Sequence, residues 1–222
     1  MLVREIRALF VKEILLEWRQ KYAINGILLY TFSTIFVCYL SFNLRNTGIH
    51  HFTWNALLWI VMLFTATSAM AKSFVQENKN RLMYYYTIVS PQAIIISKTI
   101  YNTLLMILLS ILAVAAFSVV LGNPVEDPGL FIICLLLGAS GMAVTLTMVS
   151  GIASKAGNNG ILMAILSFPV MIPLLMLVIK ISKNAIDGIA RTESYDEILT
   201  LMAVNVIIGV LAYILFPYLW RT

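Results

Sequence analysis

The sequence predicts an all-α membrane protein of six spans, and three observations predict it. Hydrophobic residues fill 61% of the 222 positions and charged residues only 11%. A soluble domain carries about 25% charged residues, so lipid has to solvate most of this chain. Six apolar stretches are long enough to cross about 30 Å of hydrocarbon at about 1.5 Å per residue. Lys and Arg, finally, fall unevenly in the connections between them, as they do in proteins that obey the positive-inside rule.

Residues 1–23, MLVREIRALFVKEILLEWRQKYA, mix charge with apolar residues throughout. They contain no apolar core region followed by a small-residue cleavage site, so the first span is expected to act as its own insertion signal. The segment predicts a helix whose charges spread around the wheel rather than lining one face. A helix half in the interface, packed against other spans or a partner, fits that pattern better than one lying freely on the surface.

The six spans are expected at 24–42, 52–71, 93–121, 129–153, 160–179 and 198–220. Their punctuation is chemically sensible. Ser90-Pro91 and Asp127-Pro128 each read as an N-cap followed by proline at the first helical position. Gly122-Asn123-Pro124 stops the third span. Asp196 and Glu197 occupy the first turn of the last one, where the helix dipole favours acids.

With the N-terminus inside, eleven of the 15 Lys and Arg lie on the inner side: Arg4, Arg7, Lys12, Arg19, Lys21, Lys72, Lys79, Arg81, Lys98, Lys155 and Arg221. Four lie outside: Arg45, Lys180, Lys183 and Arg191. Both termini are therefore expected in the cytoplasm. Trp18, Tyr22, Tyr84–Tyr86, Tyr218 and Trp220 gather at the same boundary. The chain reads as one membrane domain, residues 1–222.

The inner connection 72–91, KSFVQENKNRLMYYYTIVSP, is more than a linker. Glu77 and Arg81 stand at i,i+4, and Leu82, Tyr85, Tyr86 and Val89 recur at helical spacing, with a forced restart at Pro91. A short cytoplasmic helix and an interfacial hairpin anchored by tyrosines are both compatible with it.

The apolar cores are read as free of ionisable residues, with Lys98 counted among the inner charges. Ion-coupled transporters need such groups near the midplane, so a secondary transporter is disfavoured. There is no GxxxxGK[ST] loop, so ATP is expected to be hydrolysed elsewhere. No catalytic set is apparent, which argues against an enzyme.

Among candidate sites, His50 and His51 flank Trp54 in the first outer loop. They offer an outer haem or metal contact, or simply a polar loop beside an interfacial tryptophan. Pro169 and Pro173, one turn apart, predict a break or kink in the fifth span with a possible gating role. Gly138, Ser140, Gly141, Ala143 and Gly151 predict a close-packed seam along the fourth span, and Asn102 and Asn205 predict interhelical hydrogen bonds. Cys38 and Cys134 read as buried small hydrophobes.

A charged N-terminal helix, six spans and a short cytoplasmic helix between spans two and three resemble the permease subunits of type-2 ABC exporters. The stretches LLLGASGMAVTLTMVSGIASKAGNNGILMAILSFPVMIPLLMLVIK and ILFPYLWR, with VKEILLEWR before the first span, are similar to the CcmB family, haem exporter protein B of cytochrome c maturation. The resemblance implies a bacterial inner-membrane complex with a separate ABC ATPase, a haem-handling membrane subunit, a small accessory subunit and, indirectly, a periplasmic haem chaperone. It implies that Glu77, Lys79, Arg81, Leu82 and Tyr85 lie in the ATPase-docking loop and that Pro91 sets its exit. It implies no tightly bound cofactor, with haem as a handled ligand. Pro169 and Pro173 match the family's prolines without an assigned role. A type-2 permease exporting a lipid, glycan or drug, and a non-transporting membrane scaffold, are the competing readings.

Overall fold

The computed structural model describes residues 2–19, 21–43, 49–75, 89–154 and 159–221. Helices account for nearly all of them: α1 (Leu2–Arg19), α2 (Lys21–Asn43), α3 (His51–Val75), α4 (Pro91–Leu121), α5 (Pro128–Ala153), α6 (Asn159–Ile186) and α7 (Tyr195–Arg221). A 3-10 turn, Arg191–Ser194, leads into α7. Helices α2 to α7 are each long and apolar enough to cross a membrane. They coincide with the six stretches read from the sequence.

Helix α5 sits at the centre. It packs on α3, α4, α6 and α7, and these four also touch one another in the cyclic order α3, α4, α7, α6. Helix α2 lies outside this ring on α3 and α4, and α1 lies against α4. Small residues let α5 take that position. A Cβ on Gly138 would come within 2.8 Å of the Trp59 indole from α3, and one on Gly141 within 2.6 Å of Leu174 from α6. The expected seam is therefore real, and neighbours press into it from several sides.

Phe74, Ala93, Ile94, Leu9 and Phe216 form one apolar cluster, so the middle of α1, the end of α3, the start of α4 and the last turns of α7 share one end of the bundle. We refer to it as the terminal end. At the opposite end the turns are short and tightly capped. Asp127 caps α5 by accepting from the backbone N–H of Gly129 at 3.0 Å and of Leu130 at 3.1 Å. The same carboxylate takes both Nε (2.6 Å) and Nη2 (2.8 Å) of Arg191. The Arg191 guanidinium and those backbone donors hold the Asp127 carboxyl down at about 2. Gly122 ends α4 with φ at +81°, a conformation that suits glycine, and its carbonyl accepts from Trp54 Nε1 at 3.1 Å.

Three expectations need correction. Helix α6 runs unbroken through Pro169 and Pro173. Both prolines are on its exposed side, while Met163, Ser167, Met171, Leu174 and Val178 on the other side are buried. A break at membrane depth would leave further backbone groups unpaired at several kcal/mol each, whereas a proline in a continuous helix leaves only the carbonyl four residues back without its donor. The helix also runs on past residue 179 to Ile186, which puts Lys180 on it, paired with Glu197 at the start of α7.

Ser90 has the extended backbone of an N-cap, but its hydroxyl does not cap α4. It donates instead to Glu5 of α1. The largest correction concerns Lys98. Counted from the sequence as one of the inner-side charges, it lies within α4 with its side chain buried, 2% exposed, so that span is not free of ionisable residues.

Candidate functional site

Buried charge in a membrane helix is costly and has to be compensated, so Lys98 is the natural place to begin. It stands seven residues into α4, about 10 Å along the axis from Pro91 at 1.5 Å per residue. Helix α4 has 31 residues. At about 46 Å it overshoots a hydrocarbon layer of about 30 Å, so centring it leaves Lys98 close to the layer's edge.

Among the groups around the ammonium, three are described. Glu13 Oε1 of α1 accepts from Nζ at 3.1 Å, and the Ser73 carbonyl near the end of α3 accepts at 2.6 Å. The Phe74 ring lies 4.9 Å below it, within range of a cation–π contact. Lys12 also reaches Glu13, at 3.3 Å.

From there a polar path leads inward. The Ser73 hydroxyl is 3.0 Å from Asn102 Nδ2, which also donates to Thr147 Oγ1 of α5 at 2.8 Å. Thr147 in turn donates to the Ala143 carbonyl at 2.6 Å. One chain of contacts therefore joins α1, α4, α3 and the central helix. Asn102 does make the expected interhelical bond, and so does Asn205, whose Nδ2 donates to the Leu137 carbonyl at 3.0 Å.

Helix α1 turns its acids toward α4. Glu5 Oε2 accepts from the Ser90 hydroxyl at 2.8 Å and from its backbone N–H at 3.1 Å. These two bonds lower the Glu5 pKa below its ordinary value. Glu13 meets Lys98, Glu17 reaches the Tyr101 hydroxyl, and Phe10 stacks edge-on to the Tyr101 ring. Contacts climb both helices in the same direction, so α1 and α4 run side by side and parallel. The expected packing of the N-terminal helix on another span is present. What the composition did not reveal is its facing: Val3, Val11, Leu15 and Trp18 are among its exposed residues, while Glu5, Glu13 and Glu17 are half-buried.

Of the residues assigned to a docking loop, Pro91 is the first residue of α4. Glu77, Lys79, Arg81, Leu82 and Tyr85 lie outside the described residues. The connection's two roots are described: α3 continues to Val75, and Ser90 precedes α4. Both roots are held by the α1 assembly, through the Ser73 carbonyl on Lys98 and through Ser90 on Glu5.

His50 and His51 are exposed at the opposite end, with ring centroids 6.2 Å apart. His50 Nδ1 accepts from the Phe52 backbone N–H at 3.3 Å, a local capping role at the start of α3. Among the described residues no group of three His, Cys, Asp or Glu could hold a metal. A cavity of about 220 Å³ opens between α3 and α6, lined by Phe64, Met163, Phe168 and Met171 with Thr67 and Ser167. Its walls carry no titratable group.

Sequence reasoning also missed a second buried network. Trp59 Nε1 donates to Ser182 Oγ at 2.8 Å, Ser182 donates to Asn55 Oδ1 at 2.7 Å, and Asn55 Nδ2 donates to the Ile179 carbonyl at 3.0 Å. Nothing in the local spacing of these residues announces it.

Among the described residues the geometry holds helices together and joins one end of the bundle to its centre. The model of the CcmB protein family matches residues 4–215, so the chain belongs to the CcmB family. That makes it a membrane permease subunit of an ABC transporter in cytochrome c maturation, a class that works with an ABC ATPase. No curated protein matches the chain.

Proposed function

We propose that this CcmB-family permease transmits ATP-driven motion from a separate ATPase subunit to haem delivery, or to release of the haem-loaded periplasmic chaperone. In this reading the protein sits in the bacterial inner membrane in a type-2 ABC permease arrangement. Both termini are cytoplasmic, and the connection 72–91 docks the ATPase through Glu77, Lys79, Arg81, Leu82 and Tyr85.

The observation that carries the reading is the location of that connection's roots. Phe74 and Ala93 pack with Leu9 of α1 and Phe216 of α7 at the terminal end. The connection, both terminal helices and eleven of the 15 Lys and Arg then share the cytoplasmic side. The proposed partners on the other side are a haem-handling membrane subunit, a small accessory subunit and the chaperone.

Mechanical coupling suits these residues better than tight haem binding. The described spans offer no axial histidine within the bundle, and His50 already uses Nδ1 as a local acceptor. A clean deletion, followed by a haem stain of membrane proteins after denaturing electrophoresis, tests the assignment. Covalent c-type haem is expected to vanish while b-type cytochromes persist. Unchanged c-type haem would overturn it.

A further inference from the structure

We propose that the acidic face of α1 is a two-point clamp that fixes the roots of the α3–α4 connection and passes their displacement to the central helix. The inference rests on the coupling role just argued and goes beyond it by naming the residues that transmit. The first point is Glu5 on Ser90, at 2.8 Å to the hydroxyl and 3.1 Å to the backbone N–H. The second is Glu13 on Lys98 at 3.1 Å, with the same ammonium bound to the Ser73 carbonyl at 2.6 Å. Each point joins α1 to a residue on one side of the connection, and the sequence separation is 85 in both pairs. A common separation means that the two contacts share one register, so α1 engages α4 as a rigid rail.

The second point also has a continuation that the first lacks. Ser73 and Asn102 carry it to Thr147 on α5. A shift of α3 relative to α4 has to stretch Lys98–Ser73 or Ser73–Asn102, and both bonds are part-buried. Lys98 is the pivot because it bonds to α1 and α3 at once. Replacing it breaks both links, whereas replacing Glu13 releases α1 alone. Glu13 and Lys98 are thus positioning residues for the coupled motion.

The experiment uses the full chain in lipid nanodiscs with its ATPase partner, and compares Glu13→Lys, Lys98→Glu and the double charge swap. Hydrogen exchange over α1 reports the clamp, and it does so whatever the transport role. Each single change is expected to lower protection of α1 by about tenfold or more, the scale of a broken buried pair. Protection of α5 and α6 should persist, and the swap should restore α1. Maturation of c-type cytochromes in cells, normalised to the amount of protein and of co-purified ATPase, reports the coupling. It should fall at least about tenfold in the singles and recover in the swap.

Undiminished α1 protection in the singles, or a swap no better than either single, would overturn the clamp. Lost protection with maturation intact would overturn its part in coupling. Failure of the wild-type chain to restore maturation in a deletion strain would sink the proposed function instead, leaving the exchange measurement to judge the clamp. If Lys98→Glu does not accumulate, Glu5→Ala with Ser90→Ala tests the other clamp point by the same two readouts.

Discussion

The two ends of the bundle are held by different kinds of chemistry. At the opposite end the backbone itself is engaged. The Asp127 N–H donates to the Ala185 carbonyl at 2.9 Å, Gly122 and Gly188 supply positive φ, and the Asp127 cap seats Arg191. At the terminal end every bond of the α1 assembly has a side chain on at least one side, centred on the buried Lys98, even where the Ser73 carbonyl and the Ser90 N–H take part. Turns pinned through the backbone have few ways to rearrange without losing their hydrogen bonds. Side-chain pairs can be broken and remade while each helix stays intact. The difference assigns a fixed frame to one end and a releasable contact to the other, which is what a subunit driven from one side requires.

Breaking the buried pair should have the largest effect. Lys98→Ala leaves Glu13 with Lys12, at 3.3 Å, and leaves the Ser73 carbonyl without its ammonium donor, so a cost of about 3 kcal/mol is expected, the low end for a broken buried pair. Thermal unfolding in detergent should register this as the lowest Tm of the set. Replacing both residues with apolar ones, Glu13→Leu with Lys98→Met, should recover most of the loss. A double variant as unstable as Lys98→Ala would contradict a compensated ion pair.

Next comes Ser182→Ala, which removes the shared partner of Trp59 and Asn55. About 1–3 kcal/mol is expected from the orphaned groups. Hydrogen exchange should show the loss around α3 and α6 with α1 unaffected. A loss concentrated in α1 would erase the distinction between the two ends.

Acidification should separate the ends without mutation. Both Asp127 and Glu5 have folded pKa values below their ordinary ones, so each stabilises the fold above its ordinary pKa and loses that contribution as pH falls. For Glu5 the loss begins below the ordinary value of 4.5. For Asp127 it runs from the ordinary 3.8 down to about 2. The α1–Ser90 contact should therefore begin to loosen at the higher pH. Carboxyl carbon shifts followed by NMR check the direction, and a midpoint at or above the ordinary value for either group would contradict its hydrogen-bonded role.

The smallest effect is expected from His50→Ala with His51→Ala. Both residues are exposed, so stability should change by about 0.5 kcal/mol or less, and c-type haem staining should be unchanged. Lost staining in stable protein would instead give the pair a haem-handling role.

Much of the frame was legible in the sequence because it is written locally. Apolar run length gave the six spans, Asp127-Pro128 gave a true cap, and Gly122 gave a true stop. The seam on α5 could be read from Gly138 and Gly141 because small residues in a span have few other uses. The terminal end was not legible in the same way. Ser90 has every local mark of a helix cap, yet its hydroxyl is taken by Glu5, 85 residues away. Lys98 looks like an ordinary boundary lysine until its partners from α1 and α3 are seen. In α6 the prolines sit inside one continuous helix, so of the break or kink expected there the break is absent. Residues 76–88, which hold the assigned docking loop, lie outside the described residues.

The most direct test of the account is co-purification of the ATPase from detergent-solubilised membranes with two variants of this subunit, one from each end. Arg81→Glu, in the terminal-end connection, should lose the ATPase while the protein still inserts at normal levels. Arg191→Ala, at the opposite end, should retain it. Normal co-purification with Arg81→Glu would contradict the assignment of that connection as the docking element.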